Sequence, residues 1–229
     1  MGRSARAVSG GAAVLAVLAM LLAGCASAAR HPIQAGAVQP SSVPAPCAGY
    51  HCAPGPAQQL GDGYSVRLWT SPVPSVADSQ ARASTPVLEL LQDGQHRSWW
   101  TGRLGYGWAA TVQCLPTPAQ PNCVVLAGVG AHAGAAEVVL LQHGDLVAPA
   151  AASVVFDSGL PVAADLDHDG LLDVIGVEND YLPDYANGHN FWTSYRLAGQ
   201  ALHQTGCLPV TQPEPTALLT GHCPVVAQG

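Results

Sequence analysis

Leu90-Leu91-Gln92-Asp93-Gly94 recurs fifty residues later as Leu140-Leu141-Gln142-His143-Gly144. The approaches to the two copies, Thr85-Pro86-Val87-Leu88-Glu89 and Ala135-Ala136-Glu137-Val138-Val139, are both strand-like, and the Xaa-Gly element after each is hairpin-turn chemistry. A fainter third copy, Ser194-Tyr195-Arg196-Leu197-Ala198-Gly199-Gln200-Ala201-Leu202, has the same strand, Gly turn and strand. Further upstream, Val124-Val125-Leu126-Ala127-Gly128-Val129 aligns with Leu172-Asp173-Val174-Ile175-Gly176-Val177, both apolar β-branched runs interrupted by Gly. Before those come Trp108-Ala109-Ala110-Thr111-Val112 and Pro161-Val162-Ala163-Ala164-Asp165-Leu166. The shared order defines a unit of about 50 residues: strand, loop, strand, loop, strand, Gly turn, strand. Four short antiparallel strands per unit make a propeller blade, so the expected fold is all-β with propeller-like blades. Three units and a C-terminal remnant are expected. Cys207-Leu208-Pro209 to Cys223 echoes Cys114-Leu115-Pro116 to Cys123 and reads as the opening half of a further blade, completed by an early strand from Tyr64 to Thr70. A small propeller closed by strands from both ends, an open stack of sheets and a ring built from two chains all fit that count.

Composition agrees with short strands and turns. Gly (25) and Pro (19) are frequent in the 229 residues, which disfavours long helices. Charged residues are only 10% of the chain, against about 25% in an average protein. The net charge is −7; there is no lysine, all eight cations are Arg, and none lies between Arg103 and Arg196. A chain without a basic patch is a poor ligand for phosphate backbones, so nucleic acid is excluded as a partner.

The N-terminus carries an address. Arg3 and Arg6 precede an apolar run over residues 12–22, too short for the roughly 20 residues of a membrane span. Leu22-Ala23-Gly24-Cys25 resembles the lipobox of bacterial lipoproteins. That resemblance implies diacylglyceryl transfer to the Cys25 thiol, cleavage before it and attachment to a membrane on its extracytoplasmic face. Residues 1–24 are then a signal peptide, residues 25–59 a lipidated Cys with a Pro- and Ala-rich flexible tether, and residues 60–229 the folded β-repeat domain.

Six cysteines remain, an even number, and an oxidising compartment makes disulfides the default. Of the fifteen pairings six cysteines allow, the nearest-neighbour pattern, Cys47 with Cys52, Cys114 with Cys123 and Cys207 with Cys223, is favoured because it closes three short loops. A cysteine-bound zinc is disfavoured, since no CxxC spacing occurs.

The third unit holds the chemistry. Its first two strands are joined by Asp165-Leu166-Asp167-His168-Asp169-Gly170-Leu171-Leu172-Asp173, which puts carboxylates at loop positions 1, 3, 5 and 9, Gly at 6 and the Leu171 carbonyl at 7. Hard oxygen donors around one point suit a divalent cation, and a flexible cage suits calcium better than octahedral magnesium. Four carboxylates this close repel one another unless a cation compensates, and no Arg or Lys is near in sequence. An EF-hand would need Glu at position 12, where Gly176 stands, and flanking helices. The segment Val162 to Val177, with the strand and Gly turn around Gly199, resembles instead the calcium loops of FG-GAP and VCBS-type repeats, the blades of integrin α-subunit propellers. That resemblance implies calcium bound by Asp165, Asp167, Asp169, Asp173 and the Leu171 carbonyl. The second unit departs from the pattern, with Thr111 and Gln113 where acids belong and Cys114 to Cys123 closing the loop, so a disulfide takes the place of the ion there.

Residues 178–192 follow as an insertion of mixed aromatic, acidic and Asn character, the composition of a recognition surface. Asp180, Tyr181, Asp184, Tyr185 and Trp192 are its candidate partner residues, weighed against the simpler alternative that Tyr181, Phe191 and Trp192 pack beneath the loop. Trp99 and Trp100 read as packing residues. The chain contains no GxSxG or HExxH and no phosphate-cradling Gly loop. The sequence therefore points to a lipid-anchored extracytoplasmic module that binds one structural calcium and contacts an envelope protein or polymer. Two alternatives stand: a divalent-metal hydrolase using the Asp cluster with His168 or His189 as base, and a structural or sensory lipoprotein without a stable ligand.

Overall fold

Three antiparallel sheets of short strands account for the regular structure. The computed structural model describes residues 43–44, 47, 52–70, 85–104, 108–130 and 132–223. Cys25, the expected signal peptide and most of the expected tether lie outside these. The first sheet runs in chain order β1 (Ala53–Gly61), β2 (Tyr64–Thr70), β3 (Val87–Gln92), β4 (Gln95–Thr101). The second runs β5 (Trp108–Leu115), β6 (Asn122–Val129), β7 (Ala133–Gln142), β8 (Asp145–Val147), with β9 (Ser153–Phe156) on the same edge of β7 as β8. The third runs β10 (Ser158–Ala164), β11 (Asp173–Asn179), β12 (Asn190–Ala198), β13 (Ala201–Pro209). No α-helix occurs among the described residues and no sheet closes on itself.

The repeat found in the sequence coincides with this order. Asp93-Gly94, His143-Gly144 and Gly199 make the turns β3–β4, β7–β8 and β12–β13, the last hairpin of each sheet, and all five residues have positive φ. The apolar runs 124–129 and 172–177 fall on β6 and at the start of β11, the second strand of their sheets. The same two-residue alternation stacks the sheets face to face. On β6, Cys123, Val125 and Ala127 enter a core with Leu60, Val66, Leu68, Leu88 and Leu90 of the first sheet. Val124 and Leu126 enter a second core with Phe156 and with Ala163, Val174 and Leu197 of the third. A strand apolar on both faces is a strand in the middle of a stack, which explains why this run has no alternation.

The outer faces of the end sheets are met by terminal segments. Cys47, joined to Cys52, packs with Trp69 and Val87 on the far side of the first sheet, where Trp69 and Trp99 meet edge to face at 5.8 Å. Trp100 turns the other way into the first core, so both Trp side chains pack within the fold as expected. On the third sheet the Leu219 amide donates to Ser194 Oγ at 3.0 Å. The chain passes so close to Gly206 that a Cβ there would lie 2.6 Å from the backbone of Leu219 and Thr220.

Three expectations are corrected. The fold begins before residue 60: β1 starts at Ala53, inside the expected tether, because Pro54 and Pro56 are tolerated on an edge strand that pairs only with β2. Tyr64–Thr70 is the second strand of a complete first sheet rather than part of a fourth blade. Residues 210–223 contain no strand, so Cys207–Cys223 does not open a further unit; it fastens the C-terminal segment to β13. All three disulfides follow the nearest-neighbour pairing.

Candidate metal centre

The β10–β11 loop begins where Ala164 pairs with Asp173, so its first and last carboxylates stand side by side at the loop mouth. Local hydrogen bonds wind the backbone between them. Leu166 donates to Asp173 Oδ2 (2.9 Å), Asp169 to Asp167 Oδ1 (3.2 Å), Gly170 to Asp165 Oδ2 (3.3 Å) and Leu171 to Asp169 Oδ1 (2.9 Å). His168 (φ 60°) and Gly170 (φ 88°) take left-handed conformations, which glycine adopts without strain. Each Asp thus spends one oxygen on a loop amide and turns the acidic sequence into a tight winding.

The loop is fastened from the neighbouring sheet. The Gly170 carbonyl accepts from Thr117 Oγ1 (3.2 Å) and Asn122 Nδ2 (3.0 Å), and the Leu172 amide donates to Asn122 Oδ1 (2.9 Å). Asn122 is fully buried and also donates to the Gln120 carbonyl at 2.9 Å.

Asp165, Asp167 and Asp173 each offer an oxygen, and these lie within 4.8 Å of one another. Asp173 is buried, and burial, followed by the charges of Asp167, Asp169 and Asp165, raises its carboxyl to about 6 against the lowering effect of the Leu166 amide. The fourth carboxylate, Asp169, is not in the group of three. It meets Arg196 of β12, whose Nη2 lies 2.9 Å from Asp169 Oδ2 and whose Nη1 lies 3.4 Å from Asp167 Oδ2. No Arg or Lys is near the loop in sequence, and the cation that reaches it comes from β12. His168 is exposed and no part of the group, and Leu171 is half-buried.

Two observations test whether a cation fits. Among the described residues, the buried side-chain atoms without a hydrogen-bond partner are Asp165 Oδ1, on this loop, and Nε of Arg196, the β12 residue that pairs with it. Leaving such an atom unmet costs about 1–3 kcal/mol, more when it is charged. A cation among the three carboxylates would meet Asp165 Oδ1. The donor set, carboxylate without imidazole or thiolate, is that of a hard cation.

The insertion after β11 is held mainly by its own hydrogen bonds. Asp180 is buried and accepts from the amides of His189 (2.9 Å) and Leu182 (3.1 Å), which hold its carboxyl below the ordinary range; its Oδ2 also meets His189 Nδ1 at 2.9 Å. Tyr181 is half-buried and gives its hydroxyl to Asp157, a bond that pushes it up to about 12. Asp184 is exposed and tied to Asn187, whose side chain lowers its carboxyl. Tyr185 is exposed but donates to the Asp157 carbonyl at 3.2 Å. Trp192 is half-buried, its Nε1 donating to the Gln212 carbonyl at 3.2 Å, and Phe191 is buried. Of the five candidate partner residues, Asp184 and Tyr185 face solvent, and Asp180 serves the loop itself.

Sequence reasoning missed Arg196 and Asn122. Arg196 had one signal, as the first cation after the long gap from Arg103; Asn122 had none, because its partners at 170 and 172 are about fifty residues away. Comparison with protein-family models, curated proteins and solved structures returned no match, so the functional reading rests on the residues and geometry above.

Proposed function

We propose that this chain is a lipid-anchored extracytoplasmic β-repeat protein whose β10–β11 loop binds one calcium ion, and whose sheets are blades of a short open stack that presents residues 180–192 to an envelope protein or polymer. The observation that carries the calcium reading is the buried, unpartnered Oδ1 of Asp165, a residue whose carboxylate groups with those of Asp167 and Asp173. Calcium is preferred to magnesium because the donors sit on a wound loop that tolerates irregular geometry. Asp165, Asp167 and Asp173 would hold the ion, with Asp169 and the Leu171 carbonyl completing the set named from the repeat resemblance. The ion's contribution is structural: it neutralises the carboxylates and stiffens the loop against its Asn122 and Thr117 anchors. The lipid on Cys25 would place the module at a membrane, and the exposed Asp184 and Tyr185 are the part of the insertion free to meet a partner.

Calorimetric titration of calcium into the full chain tests the reading. One site is expected, with Kd in the range of extracellular modules, roughly 10⁻⁴ to 10⁻³ M. Millimolar calcium should then stabilise the fold by about 1 kcal/mol. Asp167→Ala should abolish the heat and the thermal shift; wild-type protein giving neither would remove the assignment.

A further inference from the structure

We propose that Arg196 is the built-in counter-ion of the β10–β11 loop and sets its affinity for divalent cations: in the cation-free protein its guanidinium holds Asp167 and Asp169, and an entering cation must take them from it. The inference rests on the calcium reading above and adds the element that regulates the site.

Arg196 is placed by sheet register. Tyr195 pairs with Val174, so Arg196 lies one residue further along β12, level with the loop end of β11. From there its two terminal nitrogens reach two carboxylates, Asp167 Oδ2 at 3.4 Å and Asp169 Oδ2 at 2.9 Å. A planar fork suits two acceptors at once, whereas a lysine would act as a point charge. No other Arg or Lys follows Arg103 in the sequence, so this charge has no substitute from the chain after it.

The pairing is incomplete on both sides. Arg196 Nε is buried without a partner, and so is Asp165 Oδ1. The guanidinium also draws on Asp169, the carboxylate that stands outside the close group of three. A single guanidinium thus offsets part of the charge of four aspartates, and two polar atoms stay unmet. A divalent ion at the three-carboxylate group would meet Asp165 Oδ1, compete with Arg196 for Asp167 and free the guanidinium toward solvent, to which its side chain is already 43% exposed. Losing two partly exposed ion pairs, and placing a divalent charge near a monovalent one, both weaken cation binding. Arg196 therefore holds the site at weak affinity while keeping the empty loop ordered.

The test is calcium titration of wild type, Arg196→Gln and Arg196→Lys in the full chain, with melting temperature measured in chelator and in saturating calcium. Arg196→Gln should bind calcium about three- to tenfold more tightly than wild type. It should melt lower than wild type in chelator, and calcium should close most of that gap. Arg196→Lys, which keeps the charge but loses the fork, should fall between them, and it carries the test if the Gln variant does not fold. Equal or weaker binding by the variants, with wild type binding, overturns the role of Arg196 and leaves the calcium site standing. Absence of binding in all three proteins removes the calcium site and the role of Arg196 together.

Discussion

The β5–β6 and β10–β11 loops hold the same place in consecutive sheets and are closed by different chemistry. In the second sheet Cys114 and Cys123 face each other across the strand pair and a covalent bond closes the loop. In the third sheet the loop is wound by four aspartates, braced by Arg196, and retains a buried oxygen without a partner. A disulfide stabilises by shrinking the unfolded ensemble, independently of solution conditions short of reduction. A carboxylate loop answers to cations and pH. The two are also joined, since Thr117 and Asn122 at the closed loop grip Gly170 and Leu172 at the charged one. The covalent loop thus acts as a fixed wall against which the responsive loop is held.

The largest effect should come from opening the fixed loop. The double change Cys114→Ser and Cys123→Ser should cost about 3 kcal/mol in denaturant unfolding on the chain-entropy model. A loss well under 1 kcal/mol would mean that the loop is held by its hydrogen bonds, and the contrast would collapse. Cutting the bridge between the loops comes next. Asn122→Ala removes three hydrogen bonds and leaves the buried Leu172 amide unmet, so a loss of about 2 kcal/mol is expected, together with weaker calcium binding. Unchanged calcium affinity in that variant would show that the wall does not shape the site.

The smallest effect should be in pH. A carboxyl raised to about 6 in the folded chain from an ordinary 3.8 binds its proton more readily folded than unfolded. In chelator, the Asp173 contribution to stability should therefore increase as pH falls from about 6 toward 3.8 and be lost as pH rises through 6. Asp173→Asn should flatten that slope, and saturating calcium should flatten it in wild type by favouring the charged form. An identical slope in Asp173→Asn would place its origin elsewhere, with Glu137 and Glu178 next in line, since burial raises both.

Much of the architecture was legible because it is written in short-range patterns. The Asp93-Gly94 and His143-Gly144 turns, the apolar run on β6 and the close cysteine spacings each constrain a few neighbouring residues, and each appears where it was expected. The exceptions are at the ends. Pro54 and Pro56 read as tether, yet their strand lies at a sheet edge, where missing amides cost nothing. The repeated Cys-Leu-Pro motif read as half a blade, yet after Pro209 the chain crosses the face of the third sheet, a course fixed by contact with Gly206 and Ser194.

At the site the division is sharper. Alternating aspartates with a glycine in the turn are enough, by sequence alone, to place acidic oxygens around one loop, because neighbouring residues on a tight winding cannot separate. Which of those oxygens remain open was decided by tertiary structure. Arg196 reaches back 27 positions to take Asp169, and Asn122 reaches forward 48 to seat Gly170. Spacing along the chain carries no information about such contacts; they exist only once strand register and the stacking of two sheets have set the distances.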